Sequence, residues 1–133
     1  MNNKIVARFA DGRILKGSTA DFVPAKDHFH VSAAEALPGS KPVRVLMGEL
    51  KALIFVKDFA GNPLHEESKE FSPERSSAGR RIRVVFKDGE VMVGTTLGYQ
   101  PGRPGFFLVP VDPASNMERC FVVASATETI GFL

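Results

Sequence analysis

The stretch RIRVVFKDGEVMVGTT, residues 81–96, decides the fold because it reads as two β-strands joined by a tight turn. Apolar residues alternate with polar ones before the turn, as in a strand with one buried face. Asp88 and Gly89 then separate two apolar runs, and Asp-Gly is a strong hairpin signal because glycine tolerates a positive φ. Gly94 lies within the second run, where glycine indicates a bulge or a sharp bend. The stretch predicts a hairpin in a strongly bent sheet.

The same pattern occurs earlier in the chain, where residues 4–19 read KIVARFADGRILKGST. At an offset of 77 (81 minus 4), residues 4–56 align with residues 81–133 without a gap. The repeated turn and bend residues are Asp11, Gly12 and Gly17 in the first copy and Asp88, Gly89 and Gly94 in the second. An internal repeat of this kind predicts two copies of one structural unit produced by duplication.

The repeat divides the chain into a first unit (1–56), a linker or surface excursion (57–80) and a second unit (81–133). The middle segment has five acidic and four basic residues, two prolines and few apolar residues, a composition typical of a linker. Five short strands per unit, with turn signals between them, predict an all-β protein of two tandem small barrels in a pseudo-twofold arrangement. The later strands are expected at His28–Ala33, Val43–Met47 and Leu50–Val56, and at Phe106–Val111, Cys120–Ala124 and Thr127–Leu133.

The second unit resembles a family of uncharacterised bacterial domains, which occur in tandem or appended to regulatory proteins. The resemblance rests on residues 86–90, 98–101, 103–110 and 116–119, and it extends more loosely to the first unit. A hairpin followed by a glycine-containing strand and a third apolar strand is also similar to the opening of Sm-like and SH3-like barrels. These resemblances imply a small-barrel fold and no reaction. The loop where Sm-like proteins contact RNA corresponds to Ala124–Ala126, which carries no charge.

Length and composition narrow the class of protein. The 133 residues suit one domain or two very small ones. Seventeen basic and fifteen acidic residues leave a net charge of +2, too small to indicate a polyanionic partner. Cys120, the one cysteine, excludes an internal disulfide and a multi-cysteine zinc site. The chain starts without the apolar stretch of a signal peptide, so we expect a cytoplasmic protein that does not bind membranes.

A metal site and a catalytic site are both considered. His28 and His30 share one side of a predicted strand with Asp27 beside them, a ligand set that suits zinc or iron. The alternative is two polar residues on a solvated face, and the repeat has Gly105 and Phe107 instead. Asp88 and Glu90 flank a turn, where an aspartate has a structural role.

Cys120 is surrounded by apolar residues that make a thiol inert. We therefore expect no enzyme, no metal and no cofactor.

Two loops of the second unit carry the candidate binding residues, Tyr99, Arg103, Asn116 and Arg119. Tyrosine and arginine are the anchors enriched in protein interfaces, and loops on a rigid scaffold concentrate binding residues. Gly102 aligns with Ala25, so its backbone is expected to accept a Cβ.

We interpret the chain as a binding or regulatory module whose partner is another protein. An RNA- or DNA-binding module is the first alternative. Binding of a cyclic dinucleotide through Arg80, Arg81 and Arg83 is the second, although the Asp-x-Ser-x-x-Gly turn of PilZ barrels is missing.

Overall fold

Ten β-strands form the framework of the protein in a computed structural model, which describes residues 3–34, 37, 39–57, 79–100, 102–111 and 117–133. The strands are β1 (Asn3–Phe9), β2 (Ile14–Thr19), β3 (His28–Ala33), β4 (Val43–Leu46), β5 (Leu50–Val56), β6 (Arg80–Phe86), β7 (Val91–Thr96), β8 (Gly105–Pro110), β9 (Met117–Val123) and β10 (Thr127–Phe132). Short 3₁₀ turns at Met47–Glu49 and Ala124–Ala126 precede β5 and β10. The described part of the chain has no helix long and apolar enough to cross a membrane.

The strands form one open antiparallel sheet in the order β10-β6-β7-β8-β9-β5-β1-β2-β3-β4. The all-β prediction is confirmed, whereas two tandem barrels stay a prediction. The first half has the order β5-β1-β2-β3-β4, and the second half has the order β10-β6-β7-β8-β9. In each half the fifth strand is therefore followed by the first, second, third and fourth. The halves join where β5 pairs with β9, with Leu53 opposite Phe121. Most of the expected linker, residues 58–78, lies outside the described residues, and β6 already begins at Arg80.

Two hydrophobic clusters lie on opposite faces of the joining strands. The first contains residues of β1, β3, β4 and β5, together with Phe121 and Val123 of β9. The second contains residues of β6, β7, β8 and β9, together with Ala52, Ile54 and Val56 of β5. Every residue of β5 is buried. From Ala52 to Val56, successive side chains alternate between the two clusters. Each half therefore completes the core of the other.

The two hairpin turns have the geometry that their sequence indicates. Gly12 and Gly89 have φ values of 95° and 93°, in the region that favours glycine. Asp11 and Asp88 each accept a backbone N–H two residues later, at 3.0 Å from Oδ1. These hydrogen bonds explain why aspartate precedes glycine in both turns.

Gly94 lies where β7 and β8 approach closely. A Cβ there would overlap the carbonyl oxygen of Val109 and come within 2.7 Å of Leu108 Cδ2. Gly17 has the equivalent position against Val31 and Ser32.

The expectation for Gly102 is wrong. Its φ is +85°, which L side chains rarely adopt, so the alignment with Ala25 does not extend to the backbone conformation.

Candidate binding groove at the junction of the halves

An open groove of about 250 Å³ lies beside the junction of β5 with β1 and β9. Its lining residues are Asn3, Lys4, Phe55, Val56, Lys57 and Glu118. Strand pairing produces the groove, because Phe55 is opposite Ile5 on β1 and opposite Arg119 on β9. The groove thus places cations from both ends of the first half beside Phe55, which is only 3% exposed. We call it the junction groove.

Arg119 lies over the aromatic residues next to the junction groove. Its guanidinium carbon is 4.4 Å from the centre of the Phe55 ring and 4.6 Å from that of Phe107. Arg119 is exposed, and none of the described carboxylates forms an ion pair with it. A guanidinium stacked on aromatic rings keeps its N–H groups available along its edge, where a carboxylate or a phosphate can accept two hydrogen bonds.

Packed aromatic rings hold Phe55 and Phe107 in place. Phe22 contacts Phe55 and Phe107 edge-on, with ring centres 5.9 Å and 6.2 Å away. Phe121 packs against Phe107 at 5.2 Å and is itself buried in the first hydrophobic cluster. Because these contacts hold the rings of Phe55 and Phe107 in place, Arg119 lies on a rigid surface. A rigid surface reduces the conformational entropy that the protein loses when a ligand binds.

The four residues predicted from sequence do not lie together on one face. Tyr99 packs against Phe106 at 5.1 Å and Phe132 at 5.4 Å, in the second hydrophobic cluster. Phe106 and Phe107 are neighbours on β8 and point to opposite faces, so Tyr99 and Arg119 lie on opposite sides of that strand.

Arg103 is exposed in a turn, where its N–H donates to the carbonyl of Gln100 at 3.4 Å. Asn116 lies outside the described residues. Of the four, Arg119 lies beside the junction groove, and it is part of β9 and not of a loop as the sequence predicted. A binding role for any of the four stays a prediction. Sequence analysis did not select Asn3, Lys4, Phe55 or Lys57 because only the pairing of β5 with β1 and β9 brings them together.

A second charged cluster connects the halves on the other side of β5. The Lys51 side chain is only 6% exposed, and its Nζ donates to Asp88 Oδ2 at 2.6 Å and to Glu90 Oε1. Arg8 contributes a further ion pair to Glu90 at 2.9 Å. Lys51 also lies 4.7 Å from the centre of the Phe86 ring. Both carboxylates are therefore occupied by cations of the first half.

The surroundings of this cluster shift the pKa of both carboxyls downward. A hydrogen bond from Lys51, helped by the N–H of Glu90, lowers the pKa of Asp88. Partial burial opposes ionisation of Glu90, but hydrogen bonds from Arg8 and Lys51 outweigh it and lower its pKa. Acid–base catalysis near neutral pH needs a carboxyl with a raised pKa, so this arrangement favours a structural role.

The histidines of β3 are each paired with a separate carboxylate. His28 Nδ1 is 2.7 Å from Asp27, and His30 Nδ1 is 2.7 Å from Asp21. The N–H and ring of His30 lower the pKa of Asp21, and the His28 ring does the same for Asp27. Within the described ranges, no group of three or more His, Cys, Asp or Glu residues could hold a metal ion.

Two other residues considered from the sequence have structural contacts. Cys120 is fully buried, and burial raises the pKa of its thiol to about 12, which keeps it protonated. Arg80, part of the arginine stretch considered for cyclic dinucleotides, lies with its guanidinium carbon 3.6 Å from the centre of the Phe132 ring.

Comparison with known proteins identifies a family for this chain but finds no curated protein and no solved structure that matches it. A family model described as "Family of unknown function (DUF6982)" matches residues 1–133.

Proposed function

The chain belongs to this family of unknown function, and from that premise we propose that it is a non-catalytic binding module for another protein. The module consists of two small Sm-like or SH3-like barrel units related by duplication, and it acts in bacterial regulation or signalling. Its site is the junction groove, and its ligand is an acidic, extended segment of the partner.

The observation that carries this proposal is the position of Arg119. Its guanidinium carbon lies within 4.6 Å of the centres of two phenylalanine rings, and the side chain is exposed and has no carboxylate partner among the described residues. A peptide carboxylate could accept hydrogen bonds from the edge of the guanidinium while apolar atoms of the peptide contact the partly exposed ring of Phe107. Arginine and aromatic residues are also the groups that contribute most energy to protein interfaces.

The charge around the junction groove favours an acidic ligand. Lys4 and Lys57 line it, against Glu118 as the acidic residue of the lining. Arg119 follows Glu118 on β9 and lies over Phe55, at the side of this groove. An acidic segment would be attracted to this excess of positive charge, which raises the association rate. The cluster of Lys51, Arg8, Asp88 and Glu90 has two positive and two negative charges, so it is internally neutralised and serves to hold the two halves together.

The proposal is tested by selecting peptides on the wild-type protein from a displayed library of random sequences. We expect enrichment of acidic peptides, and a synthetic peptide of the enriched sequence should bind at least about tenfold more weakly to Arg119→Ala, the loss of one charge-assisted contact. Arg103→Ala is the matched control, because it removes an exposed arginine elsewhere and should leave the affinity unchanged. Equal affinities for the two variants would show that the junction groove is not the site.

Single-stranded nucleic acid is the second candidate, because a basic groove with stacking aromatic residues is also how such strands are bound. A salt titration of mixed-sequence RNA separates the two. RNA affinity that falls steeply with salt and is lost in Arg119→Ala, without enrichment of any peptide, would replace the protein partner with a nucleic acid. Cyclic dinucleotides can be titrated in the same assay, with Arg80→Ala as the informative variant.

A further inference from the structure

Among the described strands, β4 and β10 are the two ends of the sheet. Within the described part of the chain β4 pairs with β3 and β10 pairs with β6, so each is the end strand of the open sheet. An edge strand presents unpaired N–H and C=O groups that another strand can satisfy.

The internal junction shows which edges fit each other. It joins β5, the fifth strand of the first half, to β9, the fourth strand of the second half. The two free edges are the corresponding strands, since β4 is the fourth strand of the first half and β10 is the fifth strand of the second. The junction therefore pairs a fifth strand with a fourth strand. The other fourth strand, β4, and the other fifth strand, β10, lie at the two ends of the sheet.

We propose that β10 of one copy pairs with β4 of a second copy, repeating between molecules the junction that joins the halves within one. The offset of 77 fixes the register. Leu53 opposite Phe121 becomes Ile130 (53 plus 77) opposite Arg44 (121 minus 77). In the same way, Ile54 opposite Cys120 becomes Gly131 opposite Val43.

The backbone directions agree with this register. Leu133 N–H donates to Arg81 of β6, so by alternation the backbone groups of Gly131 face β6 and those of Ile130 face the free edge. The Met47 N–H donates to the backbone carbonyl of Asp27, next to β3. By the same alternation, the backbone groups of Arg44 face the free edge of β4. Ile130 and Arg44 can then exchange both of their backbone hydrogen bonds, as a hydrogen-bonded pair requires.

Exposed apolar side chains lie on the surfaces that this pairing would cover. At the internal junction, Val56 and Val123 are buried against the core of the other half. Their counterparts are Leu133 (56 plus 77) and Leu46 (123 minus 77), which are 66% and 40% exposed. Arg44 replaces Phe121, so the contact between copies is weaker than the internal one and reversible. Because the two paired surfaces differ, such an association is head-to-tail and extends to rings or longer assemblies.

Engineered cysteines test the register directly. Val43→Cys and Gly131→Cys would face each other as a non-hydrogen-bonded pair, with Cα atoms about 4.5 Å apart, within the range for a disulfide. Val43 is exposed and a Cβ at Gly131 meets no atom within 4 Å, so both variants should fold, which is checked by their melting temperatures. The wild type, with Cys120 buried, is the control for unrelated oxidation.

After mild oxidation, non-reducing denaturing gels should show a covalent dimer for the mixture of the two single variants and a ladder of oligomers for the double variant, while each single variant alone forms no covalent dimer. Sedimentation of the wild type should show a mass above 14.5 kDa that rises with protein concentration. Absence of the mixed dimer, or equal dimer formation by one single variant alone, would overturn the proposal. A sedimentation mass of one chain at every concentration would also overturn it.

Discussion

Replacement of Gly94 by alanine tests the close approach of β7 and β8. At this position φ is ordinary, so the lower entropy of the unfolded alanine variant alone would stabilise the fold by about 0.4–1 kcal/mol. Against this, the new Cβ would overlap Val109 O and lie 2.7 Å from Leu108 Cδ2. Backbone atoms can move only if the two strands separate, and overpacking of this kind costs about 1–3 kcal/mol.

The net expectation is a loss of about 1–2 kcal/mol, or a fall in melting temperature of about 4–8 °C for a chain of this size. Valine should cost more because its branched Cβ adds two methyl groups. Gly98→Ala is the matched control, since a Cβ there meets no atom within 4 Å and should change the melting temperature little. Thermal unfolding followed by circular dichroism measures both. Equal melting temperatures for the Gly94 and Gly98 variants would show that β7 and β8 do not approach closely enough at Gly94 to exclude a Cβ.

Three further predictions concern stability and reactivity. The lowered pKa values of Asp88 and Glu90 stabilise the folded state fully above the ordinary pKa, and this contribution is lost as the pH falls below about 4, so urea midpoints should drop there. Lys51→Met should reduce that drop, and an unchanged pH dependence would contradict the assignment. A fragment of residues 81–133 exposes the face of β9 that packs on the first half, so it should melt without cooperativity or self-associate. A monomeric fragment that unfolds cooperatively would contradict this. Cys120 should react with a thiol reagent only at the rate of unfolding, and rapid reaction of the native protein would contradict its burial.

The local elements of the fold were accessible from the sequence. Asp-Gly at residues 88–89 and alternation in the flanking runs predict the hairpin, and β3 and β5 have the predicted bounds. The open sheet was not accessible, because the pairing of β5 with β9 joins residues about 70 apart in the chain and depends on the packing of both clusters. The continuous apolar run at residues 52–56 is its one sequence signal, since such a run without alternation is typical of a strand buried on both faces.

The candidate site shows the same division between local and distant information. Arg119 was selected for its planar, bidentate donors, which the structure places on two aromatic rings. Tyr99 was selected for the same type of reason, yet its ring belongs to the second hydrophobic cluster. Composition of a loop does not show which side of the neighbouring strand a residue will face. Lys4 and Lys57 are distant in sequence, and only the pairing of β1 with β5 brings them to one groove.

The most direct test of the junction groove as the binding site is to locate the bound peptide on the protein. Isotope-labelled protein is titrated with the acidic peptide selected on the wild type, and amide chemical shifts are followed by NMR. If the peptide binds in the junction groove, the largest shifts should occur in residues 3–4, 55–57 and 117–119, and they should disappear in Arg119→Ala. Largest shifts around Tyr99 and Arg103, unchanged in that variant, would contradict the claim that the junction groove is the binding site.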